Sequence, residues 1–283
     1  MTPNRLSSPS SARSQPSPQQ LVTRHNAVVF YGIAAASLLE SAMALRAGSL
    51  MVAFAGDAVF RSWIEKTWSS AKSAHAQKMR TYIEAMWPEF YWSAAYDEFC
   101  ADYRRAAPLP RPGHGAALDA LALSACAAQA AAFYRSLGAA ADDPELRELL
   151  LGLAADEAAH FDSFRRCHER YNQHGRLGVL TRYRTIISCA TRARDVEVHL
   201  AFGRLGGRHW YGNTPFQELS YGEFVTRMGG VVRRHLPLGP AQRLLFKPWL
   251  KVHDLPVSTN RIAEATHAPR WNALRLAVNA HSR

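Results

Sequence analysis

From Leu146 to Tyr171 one apolar stripe governs the chain. Leu146, Leu149, Leu150, Leu153, Phe161, Phe164, Cys167 and Tyr171 recur at the spacing of helical turns. Residues three and four apart share one helical face. Glu157 and His160 lie inside this stripe, between Leu153 and Phe164. A carboxylate and an imidazole three apart can point at one centre. Burying both without partners is costly, so the pattern predicts a compensating group, and a metal ion is the candidate.

The rest of the chain points to the same all-α class. Alanine is abundant, runs of Val, Ile and Thr are scarce, and long segments lack Gly and Pro, which favours helix over strand. With 283 residues and 48% apolar content, the chain can bury a full core. Cys100, Cys126, Cys167 and Cys189 have no close-spaced pair. They read as free thiols of a reducing compartment, which sets the expectation of a cytoplasmic protein.

The formal charge of +11 draws anions: an acidic partner, RNA or an acidic lipid surface. It is carried by scattered arginines with small clusters at Arg104-Arg105, Arg165-Arg166 and Arg233-Arg234. No cluster has the length of a basic tail, and no RNA-binding signature is present.

In chain order, residues 1–24 are rich in Ser, Pro and Gln without acidic residues and read as a disordered tail. Residues 25–105 read as an N-terminal helical layer without recognisable chemistry. Within it, the uncharged run Asn26–Leu39 covers 14 residues before Glu40, short of the roughly 20 that cross a bilayer. No membrane span is expected there. Trp63, Trp68, Tyr82, Trp87, Tyr91, Trp92, Tyr96 and Tyr103 read as helix-interface residues. Three prolines and two glycines in 106–115 mark the internal boundary. Helical segments follow over about 117–139, 143–173, 177–205 and 216–236, with a shorter one over about 239–252. A peripheral tail occupies 251–283.

The run Ala127–Leu137 ending in Phe133-Tyr134, the link with Asp143-Pro144, and the helix carrying Asp156-Glu157-x-x-His160-Phe161 together resemble the ferritin-like superfamily. The likeness is nearest to rubrerythrins and acyl-carrier-protein desaturases. It implies a ferritin-like four-helix bundle over 116–250 with additional N-terminal helices. In that pattern a Glu from each of two helices and a Glu-x-x-His from each of two others face inward. Carried over residue by residue, the second helix supplies Glu157 and His160. The third places Glu197 inward and the fourth His235. The first has Ala127 where the family has a glutamate, and the fourth has Val232 three before its histidine.

The metal set is therefore Glu157, His160, Glu197 and His235, two carboxylates and two imidazoles, which suits one divalent ion better than two. The resemblance implies iron, one or two ions, with manganese or zinc as other occupants. The activity it implies is an oxidoreductase acting on dioxygen or peroxide, with an apolar wall of Ala130, Phe164 and Met228. Tyr134 is the candidate catalytic residue, as a redox group or proton donor. A small-molecule or carrier-bound substrate and a homodimer complete this expectation. The second reading is a metal-free scaffold that binds an acidic partner or RNA through its basic surface.

Overall fold

A computed structural model describes residues 16–106, 115–175, 177–188 and 194–235. The described residues are helical throughout except for turns, and among them no strand longer than a single bridge occurs. The helices are α1 (Pro18–Arg24), α2 (Ala27–Ala53), α3 (Ala58–Trp63), α4 (Ser69–Met86), α5 (Trp92–Ala106), α6 (Ala116–Ala139), α7 (Pro144–Gly175), α8 (Val179–Ser188), α9 (Arg194–Phe202) and α10 (Tyr221–His235).

Four long helices make two antiparallel hairpins. α2 packs along α4, and α6 packs along α7. Gly138 lets the second hairpin close near its turn: a β-carbon there would sit 3.2 Å from Leu150. Polar contacts fasten the two hairpins at one end. Tyr82 near the end of α4 donates to Asp143 Oδ2 at 2.6 Å, and Asp143 Oδ1 accepts from the backbone N–H of Glu145 in the first turn of α7. An N-terminal carboxylate of this kind satisfies helix-end donors. The amide of Asp143 in turn donates to Thr23 of α1 at 3.2 Å.

α3 and α4 are joined through a single π-helical turn, Ile64–Trp68. Phe60, Ile64, Trp68 and Lys72, each four residues after the last, are all buried. In a uniform α-helix each four-residue step over-rotates by about 40°. The π turn absorbs that drift and keeps Lys72 on the inner face with the aromatic residues before it.

The apolar interior falls into two clusters. One gathers Phe30, Ile33, Leu38, Met79, Ile83, Trp87 and Leu150 with residues of α5, α9 and α10. The other gathers Phe54, Phe60, Ile64, Trp68, Leu121, Phe161, Phe164 and Ile186. Lys72, His75, Glu157 and His160 fall in sequence between the two on their helices, Glu40 lies near the end of the first cluster on α2, between Leu38 and Ala42, and all five are buried. Of the expected wall, Ala130 and Met228 belong to the first cluster and Phe164 to the second.

Several expectations change on the structure. Residues 18–24 form α1: Ser17 and Gln20 make a reciprocal capping box and Pro18 opens the first turn, so the segment is ordered by local chemistry. Helices from 25–105 and from 116–235 share the same two cores. After α7 the chain flanks the four long helices: α8 lies on α6, α9 on α2 and α5, and α10 on α6 and α2. Residues 1–15, the boundary over 107–114, and the expected segments over 239–252 and 251–283 lie outside the described residues.

By length and composition, α6 is the one described helix able to cross a membrane; α1 with the first part of α2 qualifies only as a pair bent by 74°. A core helix of a soluble protein meets the same criteria.

Candidate metal centre

α2 contributes Glu40, the only charged residue between Ala27 and Leu45. α4 contributes Lys72 and His75 from one face, three residues apart. α6 contributes Tyr134, and α7 contributes Glu157 and His160. Lys72 Nζ bridges the two carboxylates, 2.6 Å from Glu157 Oε1 and 3.1 Å from Glu40 Oε1. Tyr134 donates to Glu40 Oε1 at 2.8 Å, and His160 Nδ1 is 3.0 Å from Glu157 Oε1.

His75 carries the most informative geometry. Its Nε2 lies 3.0 Å from Asp156 Oδ2, an acceptor only, so Nε2 bears the hydrogen. Its Nδ1 then faces inward, 3.4 Å from Glu40 Oε2 and 3.7 Å from Glu157 Oε1. Glu40 Oε2 and His75 Nδ1 are both buried without a hydrogen-bond partner. In the neutral ring the electron pairs of Glu40 Oε2 and His75 Nδ1 face each other beside Glu157 Oε1, and a cation or a proton on Nδ1 relieves them. Glu40, His75 and Glu157 each offer one ligand atom, and these three lie within 4.8 Å of one another. An outer carboxylate that fixes the tautomer of an inward histidine is the arrangement metal-bound histidines use.

The field of the cluster follows from burial and charge. Burial pushes the Glu40 carboxyl up, but the Lys72 ammonium and His75 overcome it and hold it down at about 2. Glu157 is likewise held below the usual range by Lys72 and His160 against its burial. Burial works against the Lys72 ammonium, yet Glu40 and Glu157 raise its pKa above the ordinary value. His75 follows the same pattern: burial lowers its pKa, and Glu40 and Asp156 bring it above the ordinary value.

Aromatic rings close the outer side. Trp63 presents its edge to His160 at 6.1 Å and to Phe164 at 5.3 Å, and stacks on Phe60 at 5.3 Å. Beyond Trp63 lies an open groove of roughly 470 Å³ lined by Ala58, Val59, Ser62, Lys66 and Thr67.

Of the five residues expected from sequence, the structure brings Glu157, His160 and Tyr134 together. Glu197 sits on α9, where its carboxylate pairs with Arg46, whose guanidinium lies 5.2 Å from the Tyr103 ring. His235 ends α10, partly buried. Among the described residues neither makes a hydrogen bond or ion pair with Glu157 or His160. The candidate ligand atoms that join Glu157 come from α2 and α4 instead, from the stretch read as free of chemistry. A signal for them exists: Lys72 and His75 interrupt the stripe Ile64, Trp68, Met79, Ile83 just as Glu157 and His160 interrupt theirs.

The chain matches no protein-family model, no curated protein and no solved structure. The functional reading therefore rests on the geometry of this buried cluster.

Proposed function

We propose that this protein is a metal-dependent oxidoreductase of ferritin-like type, with the metal held by Glu40, His75 and Glu157 and His160 beside them. The observation that carries the reading is the convergence of Glu40 Oε2, His75 Nδ1 and Glu157 on one buried point, with two of these atoms lacking a partner. The ferritin-like part of the proposal is supported by one inward Glu on α2 and a histidine three residues after a charged side chain on each of α4 and α7. In this reading α6 is a core helix, because Tyr134, Leu137 and Ala130 are buried against the other helices.

Carboxylates and imidazoles with open positions suit iron, manganese or zinc, and an iron ion would supply electron transfer toward dioxygen or peroxide. The chain's own residues set the conditions. Asp156 fixes the His75 ring through Nε2. Tyr134 holds a proton at its phenolic oxygen, hydrogen-bonded to Glu40 Oε1, where it can be passed inward. Phe60, Trp63 and Phe164 exclude water, which strengthens every charge interaction inside. Protein loaded anaerobically with ferrous iron should consume dioxygen, and Glu157→Gln should lower that rate at least tenfold. A wild-type protein that retains no metal after desalting would refute the proposal.

One observation favours a second reading. The Lys72 ammonium already spans both carboxylates, as a metal-free bundle would require. The protein would then be a scaffold whose basic surface receives an acidic partner, and the metal measurement separates the two readings.

A further inference from the structure

Resting on the metal reading above, we infer that Lys72 takes the place of a second cation, so that the centre holds one divalent ion and an ammonium instead of two ions. The atoms of the cluster divide into two halves. In the first, Lys72 Nζ is bound by Glu40 Oε1 and Glu157 Oε1, at 3.1 and 2.6 Å, and Tyr134 also binds Glu40 Oε1. In the second, Glu40 Oε2 and His75 Nδ1 face each other at 3.4 Å without a hydrogen bond. The ammonium claims one oxygen of each carboxylate and leaves the other half open to a ligand-hungry ion.

α4 and α7 show why the substitution is local. Each presents a charged residue followed three positions later by a buried histidine: Lys72 and His75 on α4, Glu157 and His160 on α7. Lys72 thus occupies the position on α4 that a carboxylate occupies on α7. Its stem is buried, its head lies 5.9 Å from the Trp68 ring, and it has two anionic partners, so it is a fixed part of the site. A solvated lysine that wandered inward would not be placed so.

Charge decides the stoichiometry. With the His75 ring neutral, as an ion on Nδ1 requires, Glu40, Glu157 and Lys72 sum to one negative charge, and one divalent ion leaves a single positive charge in the buried layer. A second divalent ion would leave three, a cost that a buried site cannot carry. Among the described residues the further carboxylate that touches the cluster, Asp156, lies on the outer side of His75 and is half exposed. Replacing Lys72 by glutamate gives three carboxylates, and two divalent ions then leave the same single positive charge as the natural site with one.

The test uses the full chain and cobalt(II), titrated with visible absorption as the readout and metal content confirmed by elemental analysis. Wild type should saturate at one cobalt per chain. Lys72→Glu should saturate at two, with helical circular dichroism retained. Lys72→Gln, which removes the competing cation without adding a ligand, should saturate at one with affinity about tenfold tighter or more. Saturation of wild type at two ions overturns the inference while leaving the metal reading intact. So does a folded Lys72→Glu protein that stops at one. If Lys72→Glu does not fold, the glutamine variant decides: unchanged or weaker affinity overturns the inference. No cobalt binding by any of the three proteins overturns the metal reading itself.

Discussion

The two hairpins of this protein build the same centre with different means. The α6–α7 hairpin supplies Glu157 and His160 from one helix, and from the other only Tyr134 amid alanines, with Ala127 buried in the apolar core. The α2–α4 hairpin supplies Glu40 from one helix and Lys72 with His75 from the other. One side is a carboxylate and a histidine set in an apolar wall; the other brings the matching carboxylate and histidine together with a built-in cation. The α2–α4 hairpin pairs Glu40 with Lys72 internally, whereas Glu157 on α6–α7 has its lysine partner only across the interface. Glu157 without Lys72 would be an isolated charge in a low-dielectric layer. The polar layer therefore ties the two hairpins to each other, and the two apolar clusters on either side hold it dry.

The largest expected effects come from unpairing that layer. Glu40→Leu and Glu157→Leu should each destabilise the metal-free protein by about 3–5 kcal/mol in urea denaturation, because each takes from the buried Lys72 ammonium one of its two carboxylate partners and also removes the acceptor of Tyr134 or of His160. Equal effects from the two hairpins would support the shared layer. A neutral Glu40→Leu would break the comparison and assign the site to α6–α7 alone.

That comparison also explains what could be read from the sequence. Glu157 and His160 stand out because α7 is one uninterrupted helix with a regular stripe. Glu40 was legible only as a charge against a membrane span, since α2 is apolar on nearly every side and no stripe singles out a face. Lys72 and His75 are masked by the π turn at Ile64–Trp68, which breaks the helical phase between them and the aromatic residues upstream. A lysine is also the residue type least expected inside a metal site. Glu197 and His235 fit apolar stripes, but those stripes face the flanks of α2, α5 and α6, where Arg46 supplies a partner for Glu197. A stripe reports burial and does not say against which helix.

The second prediction concerns pH. Folding lowers the Glu40 pKa from 4.5 to about 2 and lowers that of Glu157 as well. Groups lowered on folding stabilise the native state above their unfolded pKa, and that contribution is lost as pH falls through the folded value. Chelator-treated protein should therefore lose stability steeply between about pH 4.5 and 2. His75 and Lys72 are raised, so their contributions are complete below their unfolded values and fade as pH rises through the folded ones. Urea midpoints measured across pH for wild type and Glu40→Gln check this. The variant should show a shallower acid limb, and parallel curves would contradict the charge assignment.

A smaller effect should follow Tyr134→Phe, which removes the hydrogen bond to Glu40 Oε1. A bond to a buried carboxylate is worth about 2 kcal/mol, so the melting temperature should fall while the metal stays bound. An unchanged melting temperature would mean that α6 serves the layer only as an apolar wall. Smallest of all, Glu197→Gln should cost roughly 1 kcal/mol or less, since its partner Arg46 is about one-third exposed and such pairs are screened. Its metal content should equal that of wild type. Loss of metal from this variant would bring α9 into the centre.

The central claim is that the ligands come from both hairpins, and the metal content of three proteins grown and purified alike tests it most directly. Wild type, His75→Ala and His235→Ala should be desalted and assayed by elemental analysis, with circular dichroism to confirm the fold. Wild type and His235→Ala should each carry one divalent ion per chain, and His75→Ala should lose nearly all of it. Retention of metal by His75→Ala, or its loss from His235→Ala, would contradict the account.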